Sequence, residues 1–289
     1  MTQSIGIFGL GLIGKALTHR LLHAGHRVIG YDPDTTQVAQ FEDIGGTAAS
    51  PDNVWQTPNI LASVFDTDQL ASIIAQAPAD TNSVLVATST CDPLRMPQLA
   101  QAAEKKSIEL IEAPLSGTSK DLADGNAVFL AAGDKASVSE LRWLWSILGR
   151  AHHYVGDIGN GNRAKLAVNL VLGLNRAALA EGLVFADRIG LDPKAFLQLL
   201  PDTAAASAVM GSKGPKMVDR DFAPLGRIAQ SAKDFELIHG IAKSSGQHLP
   251  FAKTYLDMMN LCIQNDGADL DNAAVLLAIE MSKADKSAE

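Results

Sequence analysis

The sequence predicts an α/β domain with a mainly parallel sheet, followed by an all-helical domain that a long helix joins to it. Short apolar runs rich in Val, Ile and Leu alternate with helical patterns up to about residue 155. No convincing strand pattern follows residue 156, where a long helical stretch begins. The chain has 289 residues, 47% of them apolar, which is enough for one large or two ordinary domains.

The first half of the chain alternates predicted strands with predicted helices. Strands are predicted at residues 4–8, 27–31, 59–64, 83–87, 107–112, 127–132 and 152–155. Helices fit between most of them, at 12–24, 68–76, 93–106 and 135–148. This alternation is typical of βαβ units, in which helices cover both faces of a parallel sheet.

The texture changes at the flexible segment 159–161, so we predict domains at 1–161 and 162–289. A helix is predicted from Asn162 to about Gly190, roughly 40 Å long at 1.5 Å per residue. Its apolar stripe runs through Leu166, Leu170, Leu174 and Ala177. Further helical patterns lie at 193–200, 228–244, 250–264 and 272–283. A ligand cleft is expected between the two domains, at the carboxyl ends of the strands.

A glycine pattern, G-x-G-x-x-G, lies between the first strand and the first helix. It consists of Gly9, Gly11 and Gly14, with Leu12 and Ile13 between the last two. Glycines at this position let the backbone turn tightly and approach a pyrophosphate at the helix N-terminus. The bare pattern is weak, because glycine-rich turns are common.

Asp32 strengthens that interpretation, since it ends the second strand, eighteen residues after Gly14. A carboxylate there accepts hydrogen bonds from the adenosine ribose and repels a 2′-phosphate. Residues 33–37 contain no Arg or Lys to hold such a phosphate, so NAD is favoured over NADP. The alternative is that Asp32 is only the turn residue of an Asp-Pro pair.

Three further groups of residues suggest chemistry. Lys165, early in the long helix, is able to move a proton to or from a substrate oxygen, and Asn169 follows four residues later on the same face. Ser116, Gly117 and Thr118, after the fifth strand, are suited to a carboxylate, although a surface turn explains them equally well. Residues 88–90 form a loop placed to contact a nicotinamide ribose. As isolated residues, Lys165 and Asn169 are more often ordinary helix-surface groups.

Taken in order, these segments resemble the β-hydroxyacid dehydrogenases, which include 3-hydroxyisobutyrate dehydrogenase and tartronate semialdehyde reductase and are related to 6-phosphogluconate dehydrogenase. The resemblance spans most of the chain. It rests on GLGLIG with Asp32, SVFD at 63–66, TSTCDP at 88–93, EAPLSGT at 112–118, GNGNRAKLAVN at 159–169 and KDF at 233–235.

The resemblance implies a role for each matching residue. Lys165 matches the acid/base, Asn169 its substrate-orienting partner, and Ser116, Gly117 and Thr118 the carboxylate clamp. Implied cofactor contacts are Gly9, Gly11, Leu12, Ile13, Gly14, Asp32, Val64, Phe65, Thr90 and Lys233. The resemblance also implies a homodimer or homotetramer packed through the helical domain.

Three departures from the family pattern concern specificity. Phe65 stands where many members have proline, Thr118 where a second glycine is usual, and Ala87 where an aspartate is usual. A side chain at Thr118 narrows the acid-binding end or adds a hydrogen bond, so no single member's substrate is carried over. The related imine reductases typically lack the catalytic lysine. This chain has Lys165 at that position, which argues against imine reduction.

Composition excludes several other functions. A formal net charge of −8 disfavours nucleic acid, which needs a clustered basic face. Cys91 and Cys262, far apart, indicate a reducing compartment and no metal cluster, and Cys91 is interpreted as a loop residue. No uninterrupted apolar run approaches 18 residues and no signal-peptide pattern is present, so neither a membrane span nor export is expected, and a cytoplasmic protein is predicted. His19, His23 and His26 are expected on a solvated face, with no metal.

These observations predict an NAD-dependent oxidoreductase that interconverts a short 3-hydroxy carboxylic acid and its aldehyde or ketone, with Lys165 as general acid/base. Two alternatives stay open. One is an NAD(H)-binding regulatory protein without catalysis, and the other is an imine reductase of the same fold.

Overall fold

The computed structural model describes residues 2–281, which divide into two compact units. The first ends at Lys165 and the second begins at Leu166. The division falls inside one long helix that runs continuously through both units.

The first unit is built on a six-stranded parallel sheet with strand order β3-β2-β1-β4-β5-β6. The strands are β1 (Ser4–Phe8), β2 (Arg27–Tyr31), β3 (Thr47–Ala48), β4 (Asn59–Ala62), β5 (Ser83–Ala87) and β6 (Ile108–Glu112). Strand order reverses at β1, which lies between β2 and β4, and every pairing in this sheet is parallel. The carboxyl ends of β1 and β4 therefore flank the point at which doubly wound sheets bind ligands.

A second sheet of three strands follows, in the order β7-β8-β9. It contains β7 (Leu115–Ser116), β8 (Val128–Ala131) and β9 (Ala151–Tyr154). β7 pairs antiparallel with β8, and β9 pairs parallel with β8. The expectation of a single sheet was therefore wrong for the strands predicted at 127–132 and 152–155. Only residues 113 and 114 separate β6 from β7, too few for the crossover that another parallel neighbour needs.

Helices cover both faces of the six-stranded sheet because alternate strand residues are buried on opposite sides. Ile5 and Ile7 of β1 join the apolar cluster on one face, whereas Phe8 joins the cluster on the other. The helices of this unit are α1 (Leu12–His23), α2 (Thr35–Asp43), α3 (Pro51–Trp55), α4 (Thr67–Gln76), α5 (Met96–Glu104), α6 (Ser119–Ala123), α7 (Lys135–Glu140), α8 (Arg142–Leu148) and the first turns of α9 (Asn160–Arg188).

The second unit consists of helices and connecting loops, and no strand is formed in 166–281 apart from one isolated β-bridge between Arg227 and Asp271. It contains the rest of α9 together with α10 (Pro193–Leu199), α11 (Ala208–Val218), α12 (Ile228–Ser244), α13 (Pro250–Gln264) and α14 (Val275–Met281), with short 3-10 helices at Leu200–Asp202 and Asn272–Ala274. Gly173 of α9 packs closely on Phe235 of α12 and Tyr255 of α13, whose ring centroids lie 4.7 Å apart. A side chain at Gly173 would collide with the Phe235 ring, so glycine permits this close approach.

The predicted fold class is confirmed, a parallel-sheet domain followed by a helical one. Each of the seven predicted strands is present, with ends that differ by at most two residues. Several elements were missed, namely β3, β7, α2, α3, α6 and the longer α11. The helix predicted at 135–148 is broken at Leu141, and residues 282 and 283 of the last predicted helix lie outside the described residues.

By length and composition alone, α9 is the one described helix that is able to cross a membrane, with a mean hydropathy of 1.3 over its most apolar 18 residues. The absence of a long uninterrupted apolar run in the sequence is compatible with this finding, because the average over 18 residues tolerates polar residues. Core helices of compact proteins pass the same test, and α9 carries Arg176, which is buried and donates a hydrogen bond to the hydroxyl of Tyr255 at 2.6 Å. The finding is therefore weak support for a membrane span.

Candidate functional site

The loop between β1 and α1 has the geometry that a phosphate cradle requires. Gly9 has φ +86°, and a Cβ there would lie 2.2 Å from the carbonyl oxygen of Ser63. A Cβ on Gly14 would lie 2.0 Å from the carbonyl oxygen of Gly9. Gly11 differs, since a Cβ there would meet no atom within 4 Å. Gly9 and Gly14 thus allow the tight turn, and Gly11 leaves open space at the N-terminus of α1.

That N-terminus, which includes Leu12 and Ile13, lacks a side-chain cap. The first N–H groups of a helix have no partner within the helix and carry its positive dipole end, so they are suited to an anion. The loop therefore fits the pyrophosphate of a dinucleotide.

Asp32 connects the end of β2 to this loop. Its Oδ2 accepts a hydrogen bond from the backbone N–H of Leu10 at 2.7 Å, and its Oδ1 accepts one from the N–H of Asp34 at 2.9 Å. Each carboxylate oxygen has a second lone pair, so both remain able to accept from a ribose hydroxyl. The turn interpretation and the ribose interpretation are thus compatible, because Asp32 both orders the turn and presents its carboxylate beside the glycine loop.

The loops after β4 and β5 are joined by the hydroxyl of Ser89. It accepts from the N–H of Val64 at 2.8 Å and donates to the carbonyl oxygen of Val64 at 2.7 Å. Phe65, next in the chain, is exposed, and Thr90 is buried. The structure therefore brings Val64 and residues 88–90 together at the carboxyl edge of the sheet, beside the glycine loop that contacts Ser63.

The segment predicted to bind a carboxylate is partly occupied by its own hydrogen bonds. Thr118 caps α6, where its N–H and its hydroxyl both donate to Asp121 Oδ2 at 2.7 Å. The N–H of Asp121 in turn donates to the Thr118 hydroxyl at 3.1 Å, which completes a capping box. Gly117 has φ +139°, and Ser116 is half-buried at the end of β7. Ser116 and Gly117 are therefore better placed to accept a ligand than Thr118.

Glu112, at the end of β6, holds the first turn of α9. Its side chain is fully buried, and its Oε2 accepts from the N–H of Gly161 at 2.8 Å. Its Oε1 accepts from Nδ2 of Asn162 at 3.1 Å. Oδ1 of Asn162 accepts from the N–H of Cys91 at 2.7 Å, so the β5 loop is tied to the same turn. Lys165 lies one turn further along α9 and is only 8% exposed.

The electrostatic setting of Glu112 is unusual for a carboxyl group. Burial raises its pKa above the ordinary 4.5, against the opposing effect of hydrogen bonds from Asn162, Gly159 and Gly161. Gly161 is required here, because a Cβ would lie 2.7 Å from Oε2 of Glu112. This corner of the first unit is thus tightly packed around a desolvated carboxyl group.

In the second unit, Asn169 and Lys233 share one partner, Asp234. Asn169 Nδ2 donates to Asp234 Oδ2 at 2.8 Å. Lys233 Nζ lies 3.1 Å from Asp234 Oδ1, an ion-pair distance without hydrogen-bond alignment. The three side chains are largely or partly buried. The structure therefore brings together the two predicted residues of this unit through a carboxylate that the sequence interpretation left without a role.

Three residues of this arrangement were missed from sequence. Asp121 had a recognisable signal, since Thr118 and Asp121 form the T-x-x-D pattern that precedes a helix. Glu112 lies in the segment EAPLSGT and Asp234 in KDF, but nothing in their spacing indicates partners fifty and sixty-five residues away.

Fold and local geometry together define a class, the two-domain proteins whose N-terminal unit is a Rossmann-type dinucleotide-binding domain. Residues 4–156 match the family model described as the NAD binding domain of 6-phosphogluconate dehydrogenase. Residues 159–279 match the model described as the NAD-binding of NADP-dependent 3-hydroxyisobutyrate dehydrogenase.

Comparison with individual proteins narrows the class. The chain is 28% identical to 2-hydroxy-3-oxopropionate reductase of Escherichia coli (strain K12), over 96% of this chain and 98% of that protein. It is also 28% identical to glyoxylate/succinic semialdehyde reductase 1 of Arabidopsis thaliana, over 97% of this chain and 100% of that protein. The chain belongs to the β-hydroxyacid dehydrogenase family.

Solved structures agree on the fold. A 3-hydroxyisobutyrate dehydrogenase from Salmonella typhimurium superimposes with a TM-score of 0.85 at 24% identity, covering 95% of this chain and 99% of that one. An imine reductase from Pseudomonas sp. gives a TM-score of 0.67 at 17% identity, covering 96% and 100%. At these identities the structures show a shared fold, and the predicted resemblance to the hydroxyacid dehydrogenases is confirmed by the family models.

Proposed function

We propose that this protein is an NAD-dependent oxidoreductase that interconverts a short 3-hydroxy carboxylic acid and its aldehyde or ketone. The observation that carries the proposal is Lys165, a buried lysine that follows the turn of α9 held by Glu112. The same unit contains the glycine loop and Asp32, so a proton-transferring group and a dinucleotide cradle belong to one compact unit. Both are needed for hydride transfer to or from a carbonyl carbon.

In this proposal the residues around the sheet edge hold the cofactor. The open space at Gly11 and the uncapped start of α1 receive the pyrophosphate, and Asp32 accepts hydrogen bonds from the adenosine ribose. Val64, Phe65 and Thr90 contact the nicotinamide half, with Lys233 as a further contact. When bound, the nicotinamide supplies or accepts the hydride.

Lys165 supplies the proton. As an ammonium it donates to the substrate oxygen during reduction, and as a neutral amine it takes the hydroxyl proton during oxidation. Asn169 orients the substrate oxygen, and its own amide is oriented by Asp234. Ser116 and the backbone at Gly117 bind the substrate carboxylate, whereas Thr118 shapes the acid-binding end through the capping box.

The preference for NAD rests on charge. Asp32 is held beside the glycine loop by Leu10, where its carboxylate would repel a 2′-phosphate. The family model that matches residues 159–279 is named for an NADP-dependent enzyme. The proposed preference for NAD therefore rests on this chain's own residues. Lys15, the nearest lysine along α1, donates to Gln37 at 3.0 Å.

We further propose a homo-oligomer packed through the helical unit. Val171 and Phe185 of α9 are each about three-fifths exposed, at 60% and 61%. Large apolar side chains on a long helix of this kind are expected to be covered in an assembly. Light scattering of the purified protein tests this, and Val171→Glu is expected to shift it toward the monomer.

The test of the proposed reaction is a panel of short 3-hydroxy acids and their semialdehydes with NAD(H) and NADP(H), followed by NADH absorbance. Lys165→Ala is expected to abolish turnover and to leave NADH affinity nearly unchanged, because the residue acts in proton transfer. Lys194→Ala, at an exposed lysine of α10, is the matched control and is expected to behave like the wild type. Near-normal turnover by Lys165→Ala on its best substrate would show that the mechanism is wrong.

Two alternatives have distinct outcomes in the same assay. A regulatory NAD(H)-binding protein would bind NADH and turn over no panel member. An imine reductase would reduce cyclic imines with NADPH, which Asp32 disfavours. Turnover of a hydroxy acid that depends on Lys165 excludes both.

A further inference from the structure

The carboxyl group of Glu112 and the amide of Asn162 form a pair with matched donors and acceptors. Both Glu112 oxygens accept, Oε2 from the N–H of Gly161 at 2.8 Å and Oε1 from Nδ2 of Asn162 at 3.1 Å. The orientation of the Asn162 amide is dictated by its other side, because Oδ1 accepts from the N–H of Cys91 at 2.7 Å. Flipping this amide would therefore lose hydrogen bonds on both sides.

Both side chains are fully buried, so neither has water to replace a lost partner. A buried donor left without an acceptor is costly, which makes a fully satisfied pair rigid. The pair joins three segments: the end of β6, the loop after β5, and the first turn of α9. Asn162 lies three residues before Lys165, so the two side chains are on the same face of the helix.

We propose that Glu112 and Asn162 are positioning residues that act together as a buried latch, fixing the first turn of α9 and so the placement of Lys165 for proton transfer. The proposal rests on the proposed function of Lys165. It deepens that function, because it assigns a task to the pair. Glu112 and Asn162 align the acid/base, Lys165, with the loop after β5, which includes Thr90. Because both side chains are fully buried, the latch acts through the placement of Lys165.

The donor and acceptor pattern predicts a specific rescue. Glu112→Gln places a second amide N–H₂ against Nδ2 of Asn162, and Asn162→Asp places two carboxylates together in a buried site. The double variant, Glu112→Gln with Asn162→Asp, restores the match with roles reversed. The introduced glutamine then donates to the introduced aspartate and still accepts from Gly161, and the aspartate still accepts from the N–H of Cys91. A double-mutant cycle measures this coupling.

Each single variant is expected to lower kcat by about 10- to 100-fold, since displacement of a catalytic group by 1 Å costs on this order. The solvent deuterium isotope effect on kcat is expected to rise, because proton transfer by a misplaced Lys165 becomes slower. The dissociation constant for NADH is expected to change far less than kcat. The double variant is expected to recover most of the lost kcat.

Glu109→Gln is the matched control, since Glu109 is an exposed residue of the same strand. The proposal is overturned if Glu112→Gln turns over like this control, or if the double variant is no better than the worse single variant. Hydrogen–deuterium exchange of residues 157–165 provides a readout independent of activity. Exchange is expected to quicken in each single variant and to slow again in the double variant.

Failure of the proposed function looks different. If the wild type turns over no hydroxy acid, or if Lys165→Ala keeps normal turnover, the proposed role of Lys165 is wrong. Hydrogen–deuterium exchange of residues 157–165 is then the only measurement that tests the latch. Quickened exchange in Glu112→Gln that is reversed in the double variant then supports the latch as a holder of α9. Unchanged exchange overturns it as well.

Discussion

Two glycines of the same loop, Gly11 and Gly14, are expected to respond oppositely to substitution by alanine. A Cβ at Gly11 meets no atom within 4 Å, and its φ of −66° suits any residue. Gly11→Ala thus adds a methyl group to open space. The gain from a less flexible unfolded chain, about 0.4–1 kcal/mol, roughly offsets the poorer helix capping by alanine. The free energy of unfolding is therefore expected to stay nearly unchanged.

The same methyl group occupies the space that a pyrophosphate needs in order to approach the backbone. Gly11→Ala is therefore expected to raise the dissociation constant for NADH by about 100-fold, equivalent to ~2.8 kcal/mol at about 1.4 kcal/mol per factor of ten. Gly14→Ala behaves differently, because its Cβ would lie 2.0 Å from the carbonyl oxygen of Gly9. The backbone has to move by more than an ångström, and a loss of stability near the upper end of about 1–3 kcal/mol is expected.

Urea unfolding followed by circular dichroism measures stability, and titration of NADH fluorescence measures binding. Gly190→Ala is unsuitable as a control because Gly190 has φ +90°. Gly240→Ala is suitable, since a Cβ at this helical glycine meets no atom within 4 Å. If Gly11→Ala binds NADH as tightly as the wild type, the loop is not the pyrophosphate cradle and the cofactor assignment fails.

Three further predictions concern single carboxyl groups. Asp32→Ser is expected to shift the ratio of NAD to NADP affinities toward NADP by at least about tenfold, or ~1.4 kcal/mol. Paired fluorescence titrations of NADH and NADPH measure this ratio. An unchanged ratio would show that Asp32 does not discriminate between the two cofactors. Asp271→Ala is expected to lower the free energy of unfolding by about 3–5 kcal/mol, because it leaves the buried Lys213, whose Nζ lies 2.8 Å from Asp271 Oδ1, without its charged partner. Asp269→Ala, at an exposed position, is expected to change the free energy of unfolding little in the same urea titration. The raised pKa of Glu112 means that the folded state binds more protons than the unfolded state above pH 4.5, so stability falls as pH rises from there toward the raised value. Glu112→Gln has no carboxyl group at this position and does not lose stability in this way. The difference in free energy of unfolding between the wild type and this variant is therefore expected to be smaller at pH 7 than at pH 5. A difference that grows in favour of the wild type as pH rises would contradict the raised pKa.

Much of the dinucleotide-binding half was predictable because its signals are local. The runs of β1 and β2 are apolar, short and separated by one helix, and their predicted ends match the structure. The glycine spacing and Asp32 were recognisable for the same reason, since they lie at fixed positions after neighbouring strands. Short elements such as α6 were harder, because five residues carry too little periodicity to stand out.

The carboxylate segment shows where local spacing leaves two roles open. Ser116, Gly117 and Thr118 were predicted to act as one clamp, but the structure commits the hydroxyl and N–H of Thr118 to Asp121. A hydroxyl residue after a strand serves a helix cap as readily as a ligand, and the choice depends on the residue three positions later. The residue type alone therefore did not establish its role.

The sequence by itself determined the seven predicted strands, most of the longer helices, the glycine loop and the acidic end of β2, because these follow from periodicity and from fixed spacings along the chain. Only the tertiary structure decided that Glu112 holds Asn162 and that Asp234 holds Asn169. These partners are fifty and sixty-five residues apart. Their meeting depends on how strands and helices pack, and burial then makes each hydrogen bond costly to lose.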